Sequence, residues 1–109
     1  MKIFGYIFLA EDKHHLVPAA EQQSALEEYG KNLGRPFAEF FIEQATPMKR
    51  PFKDRPAGSR ALKSCVSGDA ILVMRTEWVI SSTGEGQRLL NFLAGKGVAL
   101  HCIDLGGNI

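Results

Sequence analysis

The sequence predicts an α/β domain of three layers, in which helices flank a mainly parallel sheet of four strands. Two observations lead to this prediction. Four short apolar segments, each long enough for one strand, are spaced along the chain. Between them lie three segments with helical patterning or helix-ending residues, so that strands and helices alternate. Alternation of this kind is typical of a parallel sheet with right-handed crossovers.

The first strand is predicted over residues 1–10, MKIFGYIFLA, an almost unbroken apolar run rich in aromatic and β-branched side chains. Such a run indicates a strand that is buried on both faces. The chain becomes polar directly after Ala10, and ligands of open α/β sheets bind outside the carboxyl ends of the strands. A functional site is therefore expected around Phe8 and Ala10, yet both of these residues are apolar.

A helix is predicted next, over residues 19–32, because its sparse apolar positions suit a helix that covers one face of a sheet. Gly34 and Pro36 end it. Residues 37–42, FAEFFI, form the second predicted strand. Residues 44–57 contain three prolines and no apolar period, which predicts an exposed, mobile loop.

The second half of the chain repeats the alternation. A short helix over residues 58–66 leads through a turn to the third strand, residues 70–74, the most apolar segment of the chain. A loop over residues 76–86 precedes a helix over 85–96, for which Ser82 and its neighbours are candidate N-cap residues. The fourth strand is predicted over residues 98–103.

Composition narrows the class of protein. A chain of 109 residues forms one domain, and its net charge of +1 gives no bulk electrostatic argument for or against DNA. No apolar run approaches the roughly 20 residues of a membrane span. Two cysteines, Cys65 and Cys102, indicate a reducing, cytoplasmic compartment. Because no cysteine or histidine has a partner at metal-ligand spacing, neither a metal nor a cofactor is expected.

Several short motifs lie in an order and spacing that resemble those of the serine recombinases, the resolvase and invertase family. Residues 5–7 lie where that family opens with a Tyr-x-Arg-x-Ser strand, and residues 22–26, QQSAL, resemble its Gln-x-x-Ala-Leu helix start. Arg55-Pro56 precedes Gly68-Asp69 by thirteen residues, as in the family. Further matches are residues 70–75, 97–100 and 103–104. The resemblance covers nearly the whole chain and implies a resolvase-like fold.

The resemblance also implies which positions would form the active site. These positions are Tyr6, Phe8, Ala10, Gln22, Arg55, Glu77, Trp78 and Ser81. In the family, a serine that attacks a DNA phosphodiester occupies the position of Ala10, and a phosphate-binding arginine occupies that of Phe8. Two further arginines align with Trp78 and Ser81, so that only Arg55 remains. Because phosphoryl transfer needs a nucleophile and balancing cations, we predict that the chain is not an enzyme.

The resulting prediction is a non-catalytic binding, oligomerisation or regulatory module, with Trp78 packing against Phe8 to close the former pocket. Two alternatives stay open. The first is residual recombinase or phosphodiester transfer activity, with Ser81 or Ser82 as nucleophile beside Arg55 and Arg75. The second is a small-ligand or nucleotide site at the carboxyl edge of the sheet, although no glycine-rich loop follows the first strand.

The predicted loop carries four cations within seven residues, namely Lys49, Arg50, Lys53 and Arg55. They could contact a phosphate backbone, but the simpler interpretation is a solvated loop. We expect the partner to be a second copy or another protein, with DNA bound weakly by this domain alone. In the family, a long dimerisation helix and a helix-turn-helix domain follow the last strand. Since the chain stops at Ile109, a single domain without them is expected.

Overall fold

A computed structural model describes residues 2–10, 17–46, 50–80, 82–105 and 107–108 of the chain. Its parallel strands are β1 (Ile3–Ala10), β2 (Phe37–Thr46), β3 (Ala70–Val73) and β4 (Ala99–Cys102), hydrogen-bonded in the order β2-β1-β3-β4. The helices are α1 (Ala19–Lys31), α2 (Pro56–Ser64) and α3 (Thr83–Lys96). A two-residue strand, β5 (Gly107–Asn108), pairs antiparallel with β4. The predicted α/β class is therefore confirmed.

Helices cover both faces of the sheet because β1 is apolar on both. Ile3 and Ile7 point to one face, where they pack with Leu26 of α1. The alternate side chains of β1 belong to a larger cluster on the other face, to which α2 and α3 contribute. Phe8, in this larger cluster, is fully buried. The interpretation of β1 as a strand buried on both faces is confirmed.

The strand order places a switch in connectivity between β1 and β3. The chain leaves β1 through α1 towards β2, and it leaves β3 through α3 towards β4 on the opposite side. Loops that depart in opposite directions leave a crevice between them at the carboxyl ends of the two strands. The candidate site therefore lies where β1 and β3 end.

Strand β2 is four residues longer than predicted. Because β1 runs to Ala10, β2 continues beside it, and Phe8 pairs with Glu43 and Leu9 with Gln44. The predicted exposed loop over residues 44–57 is also wrong in part. It contains a 3-10 turn, Phe52–Asp54, whose Phe52 is buried. Helix α2 then begins at Pro56, since proline in the first turn is already fixed near the helical φ.

Helix α3 has well-defined ends. The Ser82 Oγ accepts a hydrogen bond from the N–H of Glu85 at 3.2 Å, which confirms the predicted serine N-cap. The helix ends at Lys96 and is capped by Gly97, whose φ of 77° lies in the left-handed region that favours glycine. Its first residue, Thr83, lies two positions before the predicted start because the cap is Ser82.

The turn before β3 is held by the carboxylate of Asp69, which is 3% exposed. It accepts hydrogen bonds from the N–H groups of Lys2 and Val66, both at 2.9 Å. Burial opposes ionisation, but these two hydrogen bonds and the charge of Lys2 outweigh it. The pKa of Asp69 therefore lies below its usual value of 3.8.

A lowered native pKa makes the contribution of Asp69 to stability dependent on pH. The contribution is fully present above pH 3.8 and is lost as the pH falls through the lower native value. At about pH 7, we expect Asp69→Asn to lower the free energy of unfolding by about 1–3 kcal/mol. Urea unfolding at about pH 7 and about pH 2 measures the difference, which should shrink in acid. The exposed Asp54→Asn is the control, and an equal loss at both pH values contradicts the prediction.

Candidate functional site

Four side chains from different parts of the chain meet at the carboxyl end of β1. Tyr6 and Phe8 come from β1, Arg55 precedes α2, and Trp78 ends the 3-10 turn Thr76–Trp78 after β3. The first three are fully buried and Trp78 is 4% exposed. The structure therefore brings together half of the positions that the resemblance assigned to the active site.

The Arg55 guanidinium is directed into the protein. Its Nη1 donates to the Tyr6 hydroxyl at 3.1 Å and to the carbonyl oxygen of Trp78, and its Nε donates to the carbonyl oxygen of Arg50 at 2.9 Å. Its Cζ lies 4.8 Å from the centroid of the Phe8 ring, a distance typical of a cation–π contact. Arg55 thus ties the segment after β3 to β1.

A buried carboxylate that we did not predict, Glu43 of β2, completes this cluster. It is 2% exposed and accepts hydrogen bonds from the N–H groups of Ala57 and Gly58, at 3.1 and 2.9 Å. These are first-turn N–H groups of α2, where a negative charge is favoured. The Tyr6 hydroxyl donates to the same carboxylate at 3.1 Å. One feature of the sequence could have predicted its burial. Glu43 lies two residues after Phe41 on the same strand, so the alternation that buries Phe41 also buries Glu43.

The hydroxyl of Tyr6 therefore links a cation to an anion. It accepts from Arg55 and donates to Glu43. Burial raises the pKa of Tyr6 above its usual value, and this effect and the negative charge of Glu43 outweigh the opposing charge of Arg55. Tyr6 is consequently a neutral hydroxyl at physiological pH, and we refer to Arg55, Tyr6 and Glu43 as the buried polar chain.

Gln22 of α1 is fully buried and binds the backbone of β1. Its Oε1 accepts the N–H of Phe8 at 3.0 Å, and its Nε2 donates to the carbonyl oxygen of the same residue at 2.9 Å. Strand β3 ends opposite Tyr6, so the backbone of Phe8 has no β3 residue beside it. The side chain of Gln22 takes the place of that missing strand.

We expect Gln22→Ala to lower the free energy of unfolding by about 1–3 kcal/mol, because it leaves two buried backbone groups of Phe8 unpaired. Urea unfolding measures the change. The neighbouring Gln23→Ala serves as the control, since Gln23 is only half-buried and lies outside this contact. Equal losses for the two variants would show that the backbone contact contributes nothing to stability.

Phe8 and Trp78 pack together at the mouth of the crevice. Their ring centroids are 6.0 Å apart with an interplanar angle of 37°, and the Tyr6 ring stacks on Phe8 with a centroid distance of 6.4 Å. Aromatic pairs of this kind add about 0.5–1.5 kcal/mol to the burial of their area. The end of β1 is thus lined by aromatic rings, with the guanidinium of Arg55 beside them.

The described side chains of the other predicted site residues are not buried in this cluster, although the Arg75 guanidinium lies 5.8 Å from the centroid of the Trp78 ring. Glu77 and Arg75 are exposed and form an ion pair at 3.6 Å. Arg50 and Lys53 have exposed side chains, whereas Arg55 does not, so the cationic stretch does not act as one solvated unit. Ala10 is the last residue of β1. Lys49 and Ser81 lie outside the described residues.

Two further points concern metal ions and membranes, for the described parts of the chain. No group of three or more His, Cys, Asp and Glu side chains there could hold a metal ion. None of the helices in the same parts is long and apolar enough to cross a membrane.

Comparison with known proteins bears on this site. The chain matches the family model described as the resolvase N-terminal domain, over residues 4–109. Its fold is similar to that of the N-terminal catalytic domain of TP901-1 integrase, with a TM-score of 0.77 and 14% identity over 95% of this chain and 78% of that one. None of the curated proteins matches the sequence.

A second solved structure with the same fold is the C-terminal catalytic domain of ISC1926 TnpA, an IS607-like serine recombinase. The TM-score is 0.75, with 13% identity over 94% of this chain and 70% of that one. At 13–14% identity, these two similarities show a shared fold only. The relationship to the resolvase family rests on the match to the family model.

These findings correct one prediction. From Ala10 and Phe8 we predicted that the chain is not an enzyme, and this prediction is wrong. The resolvase match over residues 4–109, together with a fold shared with two recombinase catalytic domains, points to a recombinase enzyme. The error came from judging activity on single aligned positions, whereas the family relationship is carried by the whole chain.

Proposed function

This chain belongs to the resolvase N-terminal domain family, and from that membership we propose that it acts in DNA recombination as a recombinase domain that assembles with itself or a protein partner at DNA. The family match over residues 4–109 is the observation that carries the proposal. The buried polar chain supports it, because it joins β1, β2, the start of α2 and the segment after β3. A carboxyl edge held in this way presents a fixed shape to a partner.

The exposed positive charges near that edge are few, so we expect DNA to be bound by an assembly of several copies. Arg50 and Lys53 have exposed side chains, whereas the chain as a whole has a net charge of +1. Two exposed cations neutralise few phosphates, and non-specific affinity for DNA rises with the number neutralised. An assembly of several copies multiplies these contacts, so DNA binding and self-association should appear together.

Light scattering and electrophoretic mobility on supercoiled plasmid test this proposal. We expect concentration-dependent assembly, and complexes that weaken between about 50 and 200 mM salt. The double variant Arg50→Ser with Lys53→Ser should weaken them further, whereas the exposed Lys31→Ser on α1 should not. A protein that stays monomeric and forms no complex at low salt would overturn the proposal.

A second candidate is phosphodiester transfer by the domain itself, which the family match favours. The resemblance assigns the attacking serine to the position of Ala10, so the hydroxyl would come from another residue. Ser82 is exposed, and its Oγ accepts a backbone hydrogen bond, which leaves its own proton available for transfer. Arg75 is the nearby cation in sequence, since Arg55 is turned inward.

Covalent capture separates this second candidate from the first. Supercoiled plasmid is incubated with the protein, denatured, and examined for nicked DNA that carries attached protein. An adduct that is lost in Ser82→Ala and kept in Ser64→Ala, an exposed serine at the end of α2, supports transfer. Complexes on DNA without an adduct count against transfer and leave assembly as the proposed role.

A further inference from the structure

A groove of about 370 Å³ lies between α2 and α3, on the face of the sheet opposite α1. Its floor is apolar and includes Leu62 of α2 and Leu89 of α3, which also belong to the core. At one side stands Phe92, which is 52% exposed. Phe92 and the apolar floor together form one continuous apolar surface, the kind of surface on which a partner can pack.

The rim of this groove is cationic. Lys53, Lys63, Arg88 and Lys96 line it, against one carboxylate, Glu85. Arg88 pairs with Glu85 at 3.1 Å. Lys96 donates to the carbonyl oxygen of Leu62 and lies 5.9 Å from the centroid of the Phe92 ring. Among the described residues, Lys53 and Lys63 have no carboxylate within ion-pair distance, so the rim carries an excess of positive charge.

The walls of the groove restrict the form of its occupant. Both walls are helices, whose backbone groups are bonded within each helix, so they offer no ladder to an extended strand. An occupant that satisfies its own backbone hydrogen bonds, as a helix does, therefore suits these walls better than an extended strand. Its apolar side chains would lie on Leu62, Leu89 and Phe92, and its carboxylates would face the rim.

We propose that the groove between α2 and α3 binds an acidic amphipathic helix of a partner protein. Apolar residues at helical spacing would fill the floor, in the helix-in-groove mode, while flanking glutamates or aspartates would pair with Lys63 on the rim. DNA fits this surface less well, because a phosphate backbone would leave the apolar floor uncovered. This inference names the partner class for the assembly in the proposed function and rests on it.

Fluorescence anisotropy with a designed peptide tests the inference without DNA. The probe is a labelled helical peptide of about 18 residues, or five turns, with leucines on one face and glutamates beside them. We expect saturable binding that weakens at least about ten-fold in Lys63→Glu and in Phe92→Ser. The controls are Arg60→Glu, an exposed cation of α2 outside the groove, and Val66→Ser, an exposed apolar residue. Both controls should bind as the original protein does.

A matched peptide, in which every glutamate is replaced by glutamine, tests the charge. It should bind at least about ten-fold more weakly. Equal binding of the two peptides, or equal effects of Lys63→Glu and Arg60→Glu, overturns the inference. A third result also overturns it: the peptide does not bind, and binding of a DNA duplex or self-association of the chain is weakened by Lys63→Glu. That result would mean that DNA or a second copy occupies the groove. If the peptide does not bind but the protein still assembles and binds DNA, the groove proposal fails and the proposed function stands. The two proposals can therefore be tested separately.

Discussion

Replacing Glu43 with alanine is expected to lower the free energy of unfolding by about 3–5 kcal/mol, the cost of breaking a buried charged network. The variant removes the acceptor of three buried donors: the N–H groups of Ala57 and Gly58 and the hydroxyl of Tyr6. Each donor left without an acceptor costs about 1–3 kcal/mol, and the costs do not add fully because the donors share one carboxylate.

Urea unfolding, followed by the fluorescence of the single tryptophan, Trp78, measures this change. Glu39→Ala is the matched control, because Glu39 lies on the same strand with an exposed side chain. Glu43→Gln keeps the shape and one acceptor oxygen, so its loss should fall between the two. A loss in Glu43→Ala within about 0.5 kcal/mol of the control, the usual range for surface changes, would contradict a role for this carboxylate in the fold.

The strands were predictable from the sequence where burial and apolar character coincide. Strand β3 consists of four buried residues, and the apolar run over 70–74 predicted it closely. The end of β2 was not predictable in the same way, because Glu43 is polar and hydropathy favours exposure for a carboxylate. What buries it is a set of donors from Ala57 and Gly58, fourteen and fifteen residues further along the chain. Such a partnership depends on the tertiary fold.

Arg55 shows the same limit within the candidate site. Its position in a proline-rich, cationic stretch favoured an exposed loop, yet it is fully buried while Lys53 is exposed. The charge pattern gives the two residues equal weight. In the fold, Arg55 donates to the carbonyl oxygens of Arg50 and Trp78 and to the Tyr6 hydroxyl, and its guanidinium lies beside the Phe8 ring. The resemblance did identify Tyr6, Phe8, Arg55 and Trp78 as neighbours, because family spacing carries tertiary information that local patterning lacks.

Phe8→Ala is the second change with a large expected effect. Phe8 is fully buried against Trp78, Tyr6 and the guanidinium of Arg55, so truncation removes contacts on several sides of its ring. We expect the free energy of unfolding to fall by about 3–5 kcal/mol, the range for phenylalanine in a core that cannot collapse around the cavity. Phe92→Ala, which truncates a half-exposed ring on α3, should change it by no more than about 0.5 kcal/mol.

A double-mutant cycle with Trp78→Leu then isolates the aromatic contact at the mouth of the crevice. The coupling between Phe8 and Trp78 should be about 0.5–1.5 kcal/mol, and circular dichroism can follow unfolding because the cycle removes the only tryptophan. Additive losses would mean that the two rings are stabilised separately, by the core and by the backbone of the 3-10 turn. A positive coupling would mean that the two rings stabilise each other and close the end of β1 as a unit.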